Sequence, residues 1–313
     1  MSRPKVGVVG AGNVGATAAQ MAAMRLQCDV AMVDIADGLA AGKALDLSQA
    51  MSVEGKSARI EGGSDYALLD GCSVVIVTAG VARKPGMSRD DLLAINAGIV
   101  KGAAEEVKKR APNAVVIVVT NPLDVMTWLA WKITGFPARR VVGMAGVLDS
   151  ARFSCFISRE LGVSITDVSA MVLGGHGDTM VPLPRYTTVS GVPITDLMPA
   201  GTIEKMAQRT RDGGAEIVAL LKTGSAYYAP GGAAAMMAEC VITGLRRLLP
   251  ASAVLEGQYG ERDLCLGVPL ILGANGVEKV VELPLSDAER AALKKSAESV
   301  HQGIAVLRER KIA

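Results

Sequence analysis

Residues 6–15 read Val6-Gly7-Val8-Val9-Gly10-Ala11-Gly12-Asn13-Val14-Gly15, an apolar run that leads into a G-x-G-x-x-G turn. In such a turn the first glycine allows a tight bend, and the second lets the backbone approach a pyrophosphate. The third lets the following helix pack on the strand, and the amino end of that helix attracts phosphates. The stretch therefore predicts a dinucleotide-binding turn. Its candidate ligand-contacting residues are Gly10, Ala11, Gly12, Asn13, Val14 and Gly15.

An acidic residue ends the next predicted strand, Val30–Val33. Asp34 lies 19 residues after Gly15, close to the ~20 expected of an acid that binds a ribose. A carboxylate there accepts a hydrogen bond from the 2′-hydroxyl and repels a 2′-phosphate. The spacing predicts NAD rather than NADP, and the alternative is a structural turn of the same type that binds no ligand.

The first half of the chain alternates short apolar runs with helical patterns. Continuous apolar runs are typical of strands covered on both faces, and strand–helix repeats build parallel sheets with right-handed crossovers. We therefore predict an α/β fold with a Rossmann-type doubly wound parallel sheet. The predicted strands are Lys5–Val9, Val30–Val33, Val74–Thr78, Val115–Val119 and Val141–Gly143, and the predicted helices are Asn13–Arg25, Leu39–Ser52, Asp90–Arg110 and Pro122–Thr134.

The pattern changes near Gly146, which predicts two domains, residues 1–145 and 146–313. The second is expected to be an α+β substrate-binding and catalytic domain. Its predicted helices are Val147–Leu161, Ile203–Thr223, Gly231–Leu248 and Ser286–Arg310, the last with a capping box formed by Ser286 and Glu289. Its predicted strands are Val168–Leu173, Val181–Pro182, Tyr186–Thr188 and Val192–Pro193, followed by an antiparallel pair, Ala251–Leu255 and Cys265–Leu272.

Composition excludes several classes of protein. Of 313 residues, 33 are Lys or Arg and 31 are Asp or Glu, for a net charge of +2, and only 3% are aromatic. A nucleic-acid-binding protein normally carries a strongly basic surface or aromatic stacking platforms. Because 50% of the residues are hydrophobic, the chain can bury a large core, and disorder is not expected.

Membrane and disulfide-rich classes are not expected either. The uncharged run 6–24 follows basic residues as in a signal peptide, but its glycines and polar residues suit the dinucleotide turn better. No other stretch is long and apolar enough to span a membrane. The cysteines are odd in number and form no C-x-x-C, which predicts free thiols, no metal site and a cytoplasmic location. They are Cys28, Cys72, Cys155, Cys240 and Cys265.

A basic loop, 80–91, follows the strand Val74–Thr78, at the sheet edge where parallel sheets bind ligands. Ser88 and Asp91 predict a helix cap there. Arg83 lies in a Pro-Gly segment, whereas Arg89 begins the helix, where a cation opposes the helix dipole. This conflict indicates a functional reason for Arg89; the alternative is a solvated basic loop.

The chain has 2 histidines, and His301 is expected on the surface of the last helix. His176 lies between glycines at the end of a predicted strand, and imidazole suits proton transfer near neutral pH. For that role it needs a partner that fixes its tautomer. Asp149 and Arg152 share one face of a predicted helix and are the candidate partners. The alternative for them is a surface ion pair.

With these residues assembled, the chain resembles the NAD-dependent malate dehydrogenases of the lactate dehydrogenase-like group. The resemblance runs from about Lys5 to the last helix. It depends on the ordered motifs GAGNVG, Asp34, RKPGMSRDDLL, VTNP, LDSAR and GGHGD.

The resemblance implies a role for each matching residue. His176 is the acid–base, Asp149 its partner, and Arg152 holds the C1 carboxylate of the substrate in a bidentate fork. Arg89 polarises the reacting carbonyl, and Arg83 determines the choice of substrate. Asn121 contacts both the substrate and the nicotinamide. The further cofactor-binding positions are Asn96, Val119 and Thr120.

The implied activity is the reversible oxidation of (S)-malate to oxaloacetate with NAD, in the tricarboxylic acid cycle. A homodimer or homotetramer in the cytoplasm is implied too, with a small dicarboxylate as the substrate and no nucleic-acid or membrane partner. One alternative is L-lactate dehydrogenase, which has no use for Arg83. The other is a non-catalytic NAD-binding protein, which would not need His176, Asp149, Arg89 and Arg152 together.

Overall fold

The computed structural model describes residues 3–26, 28–82 and 87–312, with the side chain of Arg89 also left out. The predicted strands of the first half form where their apolar runs lie, because valine-rich segments suit a sheet that is covered on both faces. A sixth strand, β3, was not predicted. The strands are β1 (Lys5–Val9), β2 (Asp29–Val33), β3 (Ile60–Gly63), β4 (Val74–Val77), β5 (Val115–Val118) and β6 (Val141–Gly143).

Helices cover both faces of this parallel sheet, as the doubly wound prediction requires. One of them begins at the predicted cap: Asp91 N–H donates to Ser88 Oγ at 3.0 Å, and Ser88 N–H donates back to the Asp91 carboxylate. The cap satisfies backbone groups that the first turn leaves without partners. These helices are α1 (Asn13–Leu26), α2 (Leu39–Val53), α3 (Arg89–Arg110) and α4 (Leu123–Thr134).

The second half holds longer helices and shorter strands. Its helices are α5 (Ala145–Leu161), α6 (Ile194–Leu197), α7 (Ala200–Leu221), α8 (Tyr228–Thr243) and α9 (Asp287–Glu309). Its strands are β7 (Val168–Ser169), β8 (Val172–Leu173), β9 (Val181–Pro182), β10 (Thr188–Val189), β11 (Val192–Pro193), β12 (Arg247–Glu256), β13 (Arg262–Gly273) and β14 (Gly276–Val280). None of the described helices is both long and apolar enough to cross a membrane.

A long antiparallel pair from the second half extends the sheet of the first half. β12 pairs with β13, as predicted, and its other edge pairs with β6, where Ser252 lies opposite Gly143. Among the described residues, the result is a nine-stranded sheet in the order β14-β13-β12-β6-β5-β4-β1-β2-β3. One sheet therefore contains strands from both sides of the predicted domain boundary between residues 145 and 146.

Two predicted strands and one predicted helix differ from the structure. The run Val168–Leu173 splits into β7 and β8, which pair with different strands, β10 and β9. Tyr186 lies in a single 3₁₀ turn rather than in a strand.

The predicted helix Gly231–Leu248 ends early, at Thr243. Gly244 adopts a left-handed φ of 68°, which stops the helix. Leu248 then lies in β12.

Candidate active site

Each glycine of the G-x-G-x-x-G turn has a different structural role. Gly10 has φ of 99°, and a Cβ there would lie 2.6 Å from the Ala79 nitrogen. A Cβ at Gly15 would overlap the Gly10 carbonyl oxygen, so α1 approaches β1 only because no side chain intervenes. A Cβ at Gly12 would meet nothing within 4 Å, since Gly12 faces open space. The turn is therefore built to leave room above Gly12, which fits the approach of a pyrophosphate.

Asp34 is held beside this turn by its own hydrogen bonds. Ala11 N–H donates to Asp34 Oδ2 at 2.6 Å, and Ala36 N–H donates to Oδ1 at 2.9 Å. Each oxygen keeps a further lone pair for a ligand hydroxyl. Asp34 lines a cavity of about 600 Å³ together with Gly12. A carboxylate so placed fits the ribose of a dinucleotide and disfavours an added phosphate.

Three adjoining cavities follow the carboxyl ends of the strands. The Asp34 cavity shares Gly12 and Thr78 with a second cavity of about 430 Å³. The second shares Val14 and Asn121 with a third cavity of about 330 Å³, which contains His176. We call the third one the substrate cavity; it is lined by His176, Arg152, Asn121, Met144, Leu148 and residues of α7 and α8. The series fits an extended dinucleotide whose reactive end meets a small substrate.

The second cavity, which we call the middle cavity, is lined by both buried and exposed polar residues. Asn96 is 1% exposed, and its amide holds two loops together by accepting from Val81 N–H at 2.8 Å and donating to the Asn121 carbonyl at 2.7 Å. Thr120 is also buried, and its hydroxyl donates to the Ala79 carbonyl at 2.7 Å. Asn121 is exposed and lines both the middle and the substrate cavities, as does Val119 at the end of β5.

The predicted histidine and arginine line the substrate cavity, and both contact the buried aspartate. His176 Nδ1 lies 2.9 Å from Asp149 Oδ2, and Arg152 Nη1 lies 3.4 Å from Asp149 Oδ1. Asp149 is 1% exposed, so its carboxylate has almost no contact with water. One buried carboxylate on α5 therefore contacts both the imidazole and the guanidinium. With Nδ1 held by Asp149, the neutral ring keeps Nε2 as its proton acceptor.

Local charges shift the affinity of His176 for a proton. Burial alone lowers the pKa of the imidazole, but the charge of Asp149 and its hydrogen bond outweigh burial, so the pKa is raised above its usual value. The Arg152 charge opposes this rise. Burial also lowers the pKa of the Arg152 guanidinium, and Asp149 opposes that shift.

A second buried carboxylate, on α4, positions the histidine and was not predicted from the sequence. Asp124 Oδ2 accepts from the His176 backbone N–H at 2.8 Å, and Oδ1 accepts from the Ser252 hydroxyl at 2.7 Å. Burial raises the pKa of Asp124, although the Ser252 hydrogen bond opposes the shift. The residue links α4, β12 and the histidine loop. Acidic residues are so common in the first turn of a helix that this role of Asp124 could not be predicted from the sequence.

The position of Arg152 also depends on residues that sequence analysis missed. A Cβ at Gly213 on α7 would lie 3.2 Å from Arg152 Cδ, so the missing side chain there makes room for the arginine. Arg211, two residues before Gly213, lines the substrate cavity and forms an ion pair with Glu204 at 3.2 Å. Ser225 and Ala226, in the segment before α8, line the same cavity.

Two predicted site residues cannot be placed against this geometry. Arg83 lies outside the described residues, and for Arg89 the structure describes only its place at the start of α3. Their roles stay predictions.

The contacts of Asp124 lead to a first prediction. Replacement by alanine leaves the His176 N–H and the Ser252 hydroxyl without their shared acceptor. Each buried donor left unpaired costs about 1–3 kcal/mol, so we expect Asp124→Ala to lower the free energy of unfolding by about 2 kcal/mol or more. Urea unfolding at fixed protein concentration measures the loss. Ser252→Ala keeps the bond to His176 and should cost clearly less; an equal cost would contradict the double role of Asp124.

Comparisons with known proteins agree along the whole chain. Residues 4–143 match the lactate/malate dehydrogenase NAD binding domain, and residues 146–309 match the lactate/malate dehydrogenase alpha/beta C-terminal domain. A malate dehydrogenase of Methanosarcina mazei is 54% identical over 303 residues, which are 97% of this chain and 99% of that protein.

Solved structures give the same result. The apo malate dehydrogenase of Picrophilus torridus is 46% identical with a TM-score of 0.96 and covers 98% of each chain. The lactate dehydrogenase of Cryptosporidium parvum, solved with lactic acid and nicotinamide adenine dinucleotide, is 42% identical with a TM-score of 0.95, over 98% of this chain and 99% of that one.

Proposed function

The chain belongs to the lactate/malate dehydrogenase family, and we propose that it catalyses the reversible oxidation of (S)-malate to oxaloacetate with NAD. The observation that carries this proposal is the buried Asp149 carboxylate, which lies 2.9 Å from His176 and 3.4 Å from Arg152, two residues that line one cavity. That arrangement pairs a proton acceptor with a fixed cation beside a site that fits a dinucleotide.

The residues of the chain divide the work of the reaction. The glycine turn and Asp34 would hold NAD⁺, which would supply the acceptor for the hydride from C2 of malate. Nε2 of neutral His176 takes the proton of the C2 hydroxyl, and Asp149 stabilises the imidazolium that forms. Arg152 holds the C1 carboxylate. Arg89 stabilises negative charge on the reacting oxygen.

Lactate dehydrogenase activity is the second candidate, since the family includes both malate and lactate dehydrogenases and the two share one fold. Arg83 favours malate. The substrate of a malate enzyme carries a second carboxylate, which needs a cation, whereas lactate offers a methyl group. The discriminating experiment follows NADH absorbance with oxaloacetate or pyruvate as the substrate. A kcat/KM for pyruvate equal to or above that for oxaloacetate would contradict the proposal.

The organisation of the protein completes the proposal. Residues 1–145 form the NAD-binding domain and residues 146–313 the substrate-binding and catalytic domain, a division supported by the separate matches of the two halves. A homodimer or homotetramer is supported by exposed apolar side chains on α2, where Leu45 is 62% and Val53 is 85% exposed. The reaction belongs to the tricarboxylic acid cycle, and five cysteines without a disulfide among the described residues suit the cytoplasm.

Cofactor choice should follow Asp34. Asp34→Ser removes the charge that repels a 2′-phosphate and one acceptor for the ribose. We expect kcat/KM for NADH to fall and that for NADPH to rise. The measurement is the ratio of the two constants before and after the change. Asp37→Ser, which removes a nearby charge outside the Asp34 cavity, is the control. Equal use of both cofactors by the unchanged protein would remove the assignment of Asp34 to the ribose.

Substrate binding should be linked to a proton at His176. The carbonyl of oxaloacetate needs the imidazolium as a donor, whereas the hydroxyl of malate needs the neutral ring. Because the pKa of His176 is raised, affinity for a dicarboxylate analogue of oxamate should be full at low pH. It should fall about tenfold per pH unit above that pKa. Calorimetric titration from pH 5 to pH 9 with NADH present measures the slope, and a flat profile would contradict the linkage.

A further inference from the structure

A cavity of about 530 Å³ lies at the opposite end of the sheet from the substrate cavity. Its lining includes Pro4, Ser73, Val115 and Arg140, which lie at or just before the amino ends of β1, β4, β5 and β6. The residues of the reaction lie beyond the carboxyl ends of the same strands. This second cavity therefore has no part in the proposed reaction, although its volume is typical of a small-molecule site.

The charged residues that line this cavity are all cationic. Arg110, Arg139 and Arg140 contribute guanidinium groups, and the described lining contains no aspartate or glutamate. Asn113, Asn275 and Ser73 add neutral hydrogen-bonding groups. We call this feature the arginine cavity, after its three arginines. A concave surface of one charge sign attracts ligands of the opposite sign.

The arginines are incompletely satisfied within the chain. Arg110 Nε is the buried side-chain polar atom that lacks a hydrogen-bond partner among the described residues. The nearest carboxylates, Asp70 and Glu106, lie 3.8 and 3.9 Å from the Arg110 guanidinium, beyond hydrogen-bond distance. Arg140 donates to one backbone carbonyl, that of Pro112, at 2.7 Å. Arg139 makes no side-chain hydrogen bond or ion pair with the described residues.

Ordinary structural roles do not account for the whole set. Arg110 ends α3, and a cation stabilises the last turn of a helix. Arg139 and Arg140 lie instead in a three-residue turn before β6, which has no comparable dipole. Arg140 also stacks on Phe136, with its guanidinium carbon 4.5 Å from the ring centroid, which fixes its orientation at the cavity. Burial of an unpaired Nε is costly unless a ligand supplies an acceptor.

We propose that the arginine cavity binds a small anion that carries at least two phosphate or carboxylate groups. Guanidinium groups recognise both classes, because their planar donors match paired oxygens. A multivalent anion would neutralise several of the arginines at once, and Asn113, Asn275 and Ser73 would donate to its remaining oxygens. Binding there is independent of the substrate cavity and of the proposed function.

Calorimetric titration with two probes tests the proposal. Pyrophosphate represents the phosphate class and citrate the carboxylate class. Each is added to the full chain with the substrate cavity saturated by NADH and a dicarboxylate oxamate analogue. We expect one equivalent of at least one probe to bind per chain, and the probe that binds identifies the ligand class. No binding of either probe would overturn the proposal.

Variants locate the binding. Arg139→Gln and Arg140→Gln should each weaken the affinity about tenfold, and Arg290→Gln, on α9 outside the cavity, should not change it. Arg139 is exposed, so its variant is expected to fold even if Arg140→Gln, which loses its stacking on Phe136, does not. Equal weakening by Arg290→Gln, or unchanged affinity in Arg139→Gln, would overturn the assignment to this cavity. Oxaloacetate turnover should stay unchanged in Arg139→Gln and serves as the check of folding.

Discussion

Replacement of His176 by asparagine is expected to lower kcat by about 10²–10⁴-fold, the usual contribution of a positioned general acid–base. Asparagine keeps a polar group near Asp149 but offers no proton acceptor near neutral pH. Binding of NADH should be retained, because the His176 ring lies in the substrate cavity rather than beside Asp34. Steady-state kinetics with oxaloacetate, together with a direct NADH titration, measures both quantities.

The other histidine provides the matched control. His301 lies on α9 and pairs with Glu261 at 3.0 Å on the surface. His301→Asn makes the same chemical change there and should leave kcat within a factor of two or so, since surface pairs contribute little. If His176→Asn kept most of its turnover, or if both variants lost it equally, His176 would not be the acid–base.

Replacement of Arg83 by glutamine is expected to change the choice between oxaloacetate and pyruvate by several powers of ten. Oxaloacetate carries a second carboxylate that pyruvate lacks, and a cation enclosed with pyruvate would have no partner. Leaving a charged group unpaired is the strong form of discrimination and reaches ~10⁴-fold in kcat/KM. Arg83→Gln should therefore lose most activity on oxaloacetate and gain some on pyruvate.

The measurement is the ratio of kcat/KM for the two substrates, before and after the change. Lys84→Gln is the control, because it removes one charge from the next residue of the chain. A change of less than about tenfold in Arg83→Gln, roughly 1.4 kcal/mol, would show that another residue selects the substrate. So would an equal change in Lys84→Gln.

Sequence pattern predicted the parallel half of the fold well and the added strands less well. Apolar runs marked β4 and β5 because both are buried along their whole length. β3 was not predicted because Ile60 is its single large apolar residue, so the segment lacks an apolar run. Its glycine Gly62 is required by packing rather than by strand propensity, since a Cβ there would overlap the Ala40 carbonyl of α2. The antiparallel pair was predicted, but its pairing with β6 was not, since periodicity carries no information about which strand is the neighbour.

In the active site, too, contacts required by the chemistry could be predicted, whereas contacts between residues distant in the chain could not. The pairing of His176 with Asp149 could be expected, because the chemistry of a histidine base requires an orienting group. Asp124 and Ser252 could not, because they are 128 residues apart in the chain and meet only in the folded state. Gly213 likewise looks like a weak point in a helix and serves as space for Arg152.

The continuous sheet has a mechanical consequence for the reaction. Ser252 lies on β12, whose other contact is β6 of the cofactor-binding half, and Ser252 holds Asp124, which holds the backbone of His176. The spacing between the proton acceptor and the cofactor turn is thus set by a series of hydrogen-bond lengths rather than by a hinge angle. The backbone of the proton acceptor is therefore held by the cofactor-binding half of the sheet, and part of the entropy of aligning the two is lost when the chain folds, before any substrate binds.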